Sequence, residues 1–235
     1  MVKWWIRCFL EEVEIIIDTK LLPRRILAYI AGLLILAFGV AFSINSELGV
    51  SPVSSVPYVV HHILPFDITV GTATNAVFII FILLQIAILR KQYKWFNLTQ
   101  ILFATIFGFF ADFTLWVMGG LQFPTYAGRL GMLAISVVLI AIGIVFIMAG
   151  RLAPLPPEGF AASIETRWPK IKFHVAKMVM DSALVVISLS LSLIFAGEVM
   201  GVREGTVISA IVIGKIIPYI KKALRPILVK LEPME

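Results

Sequence analysis

Asp112, Asp181 and Lys215 stand inside long apolar stretches, where an ionised side chain is costly and usually faces an interior or a water-filled path. A carboxylate in that setting can hold a solute, or take up and release a proton and so couple a site to proton movement. Asn75 lies in an earlier apolar stretch that carries no charged residue and is the polar counterpart of Asp181 in the repeat described below. Each has a plainer reading. Asp181 lies a few residues from one end of its stretch, where an interfacial position would satisfy it, and Lys215 can carry its ammonium to the surface along its own stem. Asp112 lies deeper, which fits a functional or helix-pairing residue better than a boundary one.

Two proline-rich breaks accompany these residues, LGVSPVSSVP (Leu48 to Pro57) and LAPLPPE (Leu152 to Glu158). Each ends a long hydrophobic run and opens a segment too short to cross a bilayer. Val53 to Leu64 would be about 18 Å long as a helix, roughly half the crossing distance. Pro52, and either Pro156 or Pro157, suit the first turn of such a helix, whose unpaired N–H groups can hold an anion or a carboxylate. Paired breaks of this kind mark binding sites in transporters. The candidate substrate-binding residues are therefore Ser51, Pro52, Ser54 and Ser55 in the first break, Pro156 and Glu158 in the second, and Asn75, Asp112 and Asp181 in the spans. Sequence leaves two placements open for the short segments, re-entrant into the membrane or flat along its surface, where Tyr58 would suit the interface.

The remaining reactive residues point to no chemistry. His61 and His62 are adjacent, so they face different sides of a helix and lack the i, i+4 spacing of a one-helix metal site. Glu158 and Glu165 fit capping and solvation of the second break. A lone cysteine, Cys8, excludes an intramolecular disulfide and a thiolate metal cluster. No nucleophile elbow, HExxH or phosphate loop is present, so neither an enzyme, a metal nor a cofactor is expected.

The elements that must position these residues follow from composition. Of 235 residues 60% are hydrophobic and 14% charged, with a mean hydropathy of +1.00. An ordinary soluble domain carries about 25% charged residues. The reading is an all-α polytopic membrane protein, with the lipid bilayer as its solvent. Six spans are expected: Ile26 to Ile44, Ile68 to Leu89, Leu98 to Met118, Leu130 to Gly150, Met178 to Ala196 and Gly205 to Ile220. The last is the shortest and contains Lys215 and Pro218. Residues 1–24 read as an amphipathic segment on the cytoplasmic side, with Trp4 and Trp5 at headgroup level and Pro23 ending it. The net charge of +6 belongs to topology rather than to nucleic acid. With both termini cytoplasmic, every Lys and Arg except Arg129 and Arg203 falls on the inner side. That is the pattern of a multi-pass protein of the cell membrane.

An offset of 104 residues aligns Ala37 with Ala141, Gly39 with Gly143, Phe42 with Phe146, Leu48 with Leu152 and Pro52 with Pro156. An offset of 106 then pairs Asn75 with Asp181, Ala104 with Ala210 and Gly108 with Gly214. Each half, 25–118 and 119–222, holds three spans, and an odd number turns the second half over in the membrane. Two inverted three-helix repeats are expected, followed by a cytoplasmic tail over 223–235. Gly32, Gly39, Gly108, Gly143 and Gly214 are read as helix-packing positions.

GLLILAFGVAFSINSELGVSP, ITVGTATNAVF and the closing REGTVISAIVIGK resemble the YczE/YyaS/YitT type of bacterial integral membrane proteins, over Arg25 to Lys222. The resemblance implies a small polytopic protein of the cytoplasmic membrane and supplies no catalytic residues. Lys215 and the Pro-rich PLPPEG depart from that pattern. The functional expectation is a small secondary transporter or exporter of a small polar or anionic solute, with proton coupling through Asp112 or Asp181. The alternative is a membrane scaffold or accessory subunit. Six helices leave little protein to surround a path, which makes a homodimer a natural assembly.

Overall fold

The computed structural model describes residues 21–65 and 67–229. Among them every regular element is helical: α1 (Leu22–Asn45), α2 (Pro52–Ile63), α3 (Val70–Leu89), α4 (Thr99–Met118), α5 (Tyr126–Gly150), α6 (Pro156–Arg167), α7 (Phe173–Phe195) and α8 (Glu204–Leu228). The expected amphipathic segment lies outside the described residues except for its last few positions, as does the end of the expected tail.

α1, α3, α4, α5 and α7 are long and apolar enough to cross a membrane by length and composition. α8 matches α5 in length at 25 residues, but carries Lys215, Lys221, Lys222 and Arg225. Local chemistry explains the helix ends. Pro23 sits in the first turn of α1, a turn that has no use for its missing N–H. Thr69 and Thr125 cap α3 and α5 by accepting from the Thr72 and Gly128 N–H groups. Gly119 closes α4 in the left-handed conformation at φ 52°. α7 begins at Phe173 rather than Met178, which brings Lys177 inside the helix. α8 runs on to Leu228, so part of the expected tail is helical.

α1 and α5 are antiparallel and packed backbone to backbone. A Cβ on Gly39 would lie 2.8 Å from the Ile140 nitrogen, and one on Gly143 would lie 2.7 Å from the Leu36 nitrogen. Only glycine permits that approach. α4 joins this pair, with Thr114 donating to the Ala37 carbonyl at 3.2 Å. α8 packs on α5; α3 packs on α2, α4 and α6; α7 packs on α2 and α6. A continuous core runs through Tyr29, Leu33, Ala37, Phe78, Phe107 and Met180.

Candidate functional site

Both breaks fold in the same way. α1 ends at a left-handed Glu47 (φ 55°) and α5 at a left-handed Arg151 (φ 49°). Each chain then runs extended into a short helix of 12 residues, through Ser51 before α2 and Leu155 before α6, with proline in the first turn. Neither short helix lies free on the surface. Ser55, Val56 and Val59 of α2 and Gly159, Ala161 and Ser163 of α6 are buried among the long helices.

At the second break the polar groups converge. Glu158, in the first turn of α6, lies 3.4 Å from the Lys177 ammonium, and Lys177 lies 3.1 Å from Asp181 one turn further along α7. Two carboxylates share one ammonium. The Glu158 oxygen that faces away from the ammonium, Oε2, is buried without a hydrogen-bond donor. Alongside, the Gln85 amide donates to the Gln100 side chain at 3.1 Å and to the Pro156 carbonyl at 3.0 Å, and Gln100 returns a bond to Gln85 at 3.3 Å. This fully buried amide pair ties α3 and α4 to the start of α6. Tyr29 of α1 donates to the Ala153 carbonyl at 2.8 Å. The second break is thus held by four helices.

The other candidates form a separate group. Asp112 accepts from the Thr69 hydroxyl and from the Gly71 N–H, both at 2.7 Å, so a carboxylate of α4 caps the first turn of α3. A capping box would place that acceptor on the same chain segment; here it comes from a neighbouring helix. The approach requires Gly71, whose Cβ would lie 2.1 Å from the Gly108 carbonyl. Asn75, one turn on, presses its amide against Gly108, and its Oδ1 is buried without a partner. In the first break Ser51 and Ser54 bond each other at 3.0 Å, and Ser55 donates to the Pro52 carbonyl within its own helix. Val50 N–H to Gly201 O (2.8 Å), Gly205 N–H to Leu48 O (2.7 Å) and the Glu47–Arg129 ion pair (2.9 Å) pin this break to the starts of α5 and α8.

Glu158 and Asp181 therefore meet through Lys177, and Asn75 lies beside Asp112, but the two groups do not merge into one polar pocket. Between α3 and α7 lies a cavity of about 670 Å³ to which α2 and α6 contribute Val56, Phe160 and Ile164, and no polar side chain lines it. The short helices turn apolar residues to this cavity and keep Ser54 and Glu158 away from it. Lys215 is exposed and Gly214 meets nothing within 4 Å, so neither packs a helix contact. His61 and His62 are in ring contact, 4.8 Å between centroids, and each imidazole bonds a backbone carbonyl, of Ile68 and Tyr58.

Sequence reasoning missed Lys177, Gln85 and Gln100. The i, i+4 spacing of Lys177 and Asp181 was a readable signal. The glutamines carry no charge and stand 15 residues apart on different helices, so no local spacing marks them as a pair.

Five helices long and apolar enough to cross a membrane, with no strand among the described residues, are consistent with a polytopic helical membrane protein. Within that class the chain belongs to a family of unknown function, DUF6198, whose profile matches residues 23–222. No curated protein and no solved structure matches the chain.

Proposed function

We propose that the chain is a small secondary transporter of a polar solute, built from six spans in two inverted three-helix repeats, with both termini on the cytoplasmic side of the cell membrane. The observation that carries the reading is the Glu158–Lys177–Asp181 cluster. Ionisable groups inside a helical membrane bundle are expensive, and they usually mark an ion or substrate path. Two carboxylates against one ammonium leave an excess of negative charge. That balance suits a proton or a cationic or zwitterionic solute better than an anion.

The repeat is supported by correspondences between the halves. Glu47 and Arg151, both left-handed, stand 104 residues apart, as do Ser51 and Leu155, which share ψ of 152°. α2 packs on α7 as α6 packs on α3, and α1 packs on α4 as α5 packs on α8. The antiparallel α1 and α5 are what inversion requires. The resemblance to the YczE/YyaS/YitT type agrees with a small polytopic protein but names no solute.

The test is proton flux in proteoliposomes loaded with a pH-sensitive dye, challenged with a panel of organic cations, amino acids and carboxylates. At least one solute should drive flux with the wild type and none with Asp181→Asn. If no solute moves protons and none crosses by direct uptake, transport is abandoned. A scaffold would instead co-purify with one required membrane protein; the broad exposed apolar surface of α4 and α7, including Trp116 and Ile194, would be where it binds.

A further inference from the structure

The cavity between α3 and α7 is built for something other than a polar solute, and this argument is independent of transport. Its walls are Val77, Phe81 and Leu84 of α3 and Met180, Leu184 and Ile187 of α7, with Val56 and Phe160 from the short helices. A volume of about 670 Å³ is in the range of ligand pockets, but water inside would find no polar side chain. Ile80, Leu84, Val179 and Ile187 line the cavity and are also exposed to the surroundings, at 56%, 42%, 60% and 48%. The cavity therefore opens sideways, along the face that meets lipid hydrocarbon.

At the α6 end the wall is completed by Ile171, in the link between α6 and α7. Its chain neighbours are Lys170 and Lys172, and Arg167 and Trp168 precede them, with the Arg167 guanidinium 5.9 Å from the Trp168 ring centre. All of these are exposed, and among the described residues Glu165 is an acidic partner, 3.8 Å from Lys172. An apolar slot thus ends at a cationic rim with an exposed tryptophan. We propose that the groove is a binding site for an anionic phospholipid of the leaflet on the α6 side, with an acyl chain between α3 and α7 and the phosphate at Lys170, Lys172 and Arg167. Concavity sets the site apart from the annular shell, and the charge complement sets the headgroup.

The experiment is native mass spectrometry of the full chain released from detergent with equal phosphatidylglycerol and phosphatidylcholine of identical chains. The wild type should keep one phosphatidylglycerol at activation energies that strip phosphatidylcholine, a preference of roughly tenfold. Lys170→Glu with Lys172→Glu should remove that preference. Ala183→Trp or Ile187→Trp, which fill the groove, should remove retention of both lipids, while Ile101→Trp on the exposed face of α4 should change nothing. Two filling variants are specified because either one alone could misfold; size-exclusion profiles decide which is read. Equal retention of the two lipids by the wild type, or loss that is the same in Ile101→Trp as in the filling variants, would mean annular lipid only and overturn the site.

Discussion

The Lys177 ammonium lies 3.4 Å from the Glu158 carboxylate, and through this contact the second short helix is tied to the first turns of α7. Lys177 also serves Asp181 at 3.1 Å, so it is the shared partner of two acids. Lys177→Met should then be the most damaging single change in the cluster, since it leaves two carboxylates facing each other. The expected loss is about 1–3 kcal/mol, below the ~3–5 kcal/mol of a fully enclosed pair because solvent reaches part of each side chain. Asp181→Asn should cost less, because Glu158 keeps its ammonium. Adding Glu158→Gln to Lys177→Met should recover part of the loss. Thermal unfolding of the purified variants gives the order, and an Asp181→Asn loss larger than that of Lys177→Met contradicts it.

Gln85 and Gln100 depend on each other in the same way. Gln85→Leu strands a buried amide on α4 and a carbonyl at Pro156, which should cost roughly 1–3 kcal/mol. Gln85→Leu with Gln100→Leu should be less harmful than the sum of the two single changes, because only the Pro156 carbonyl is then left unpaired. A double-mutant cycle measures that coupling; strict additivity would mean the amide pair does not form.

At the α1–α5 contact, Gly39→Leu should destabilise by about 1–3 kcal/mol or more, since its Cβ already meets the Ile140 nitrogen at 2.8 Å and backbone cannot step aside. Gly214→Ala is the control. Nothing lies within 4 Å of it, so the same kind of helical glycine should tolerate a side chain, or gain up to ~1 kcal/mol from helix propensity. Melting temperatures in one detergent compare the two, and equal losses would refute the close packing of α1 on α5.

Asp112 is engaged as a cap, which predicts a local signature. Asp112→Ala should free the first turn of α3, raising amide hydrogen exchange at Gly71 and Thr72 while leaving the middle of α3 protected, at a cost of about 1 kcal/mol. Asp112→Asn, which keeps one acceptor oxygen, should do so to a smaller degree. Unchanged exchange in the alanine variant would show that Thr69 alone holds the turn.

The spans were legible because hydropathy reads uncharged runs directly: Ile26 to Ile44 lies inside α1, and Leu130 to Gly150 inside α5. The breaks were legible through Pro52 and Pro156, which fix where a short helix can begin. What sequence could not give was the pairing across elements. Asp112 finds Thr69 and Gly71 only because α3 and α4 approach at Gly71 and Gly108. Lys177 read as one more cation of an inner loop, since nothing local announces that Glu158 folds back beside it. The apolar cavity was hidden for a further reason: Val56 and Phe160 look like ordinary hydrophobic residues until the two short helices turn them to one space.

Whether α8 crosses the membrane is the sharpest remaining consequence of the six-span proposal. Lys215 and Tyr219 are exposed on α8, Pro218 interrupts its hydrogen bonding, and Lys221, Lys222 and Arg225 crowd its far end. A helix of 25 residues is about 37 Å long, enough to span the hydrocarbon even with tilt. Lys215 can then snorkel toward the end that already holds three cations, which satisfies the positive-inside rule without moving any other segment. Single cysteines in a background lacking Cys8 decide the matter. Gly120→Cys and Glu204→Cys should label with a membrane-impermeant maleimide from one side, Lys170→Cys and Lys222→Cys from the other. If Glu204→Cys and Lys222→Cys label from the same side, α8 lies along the surface, the count falls to five, and two matching three-span repeats can no longer be built from this chain.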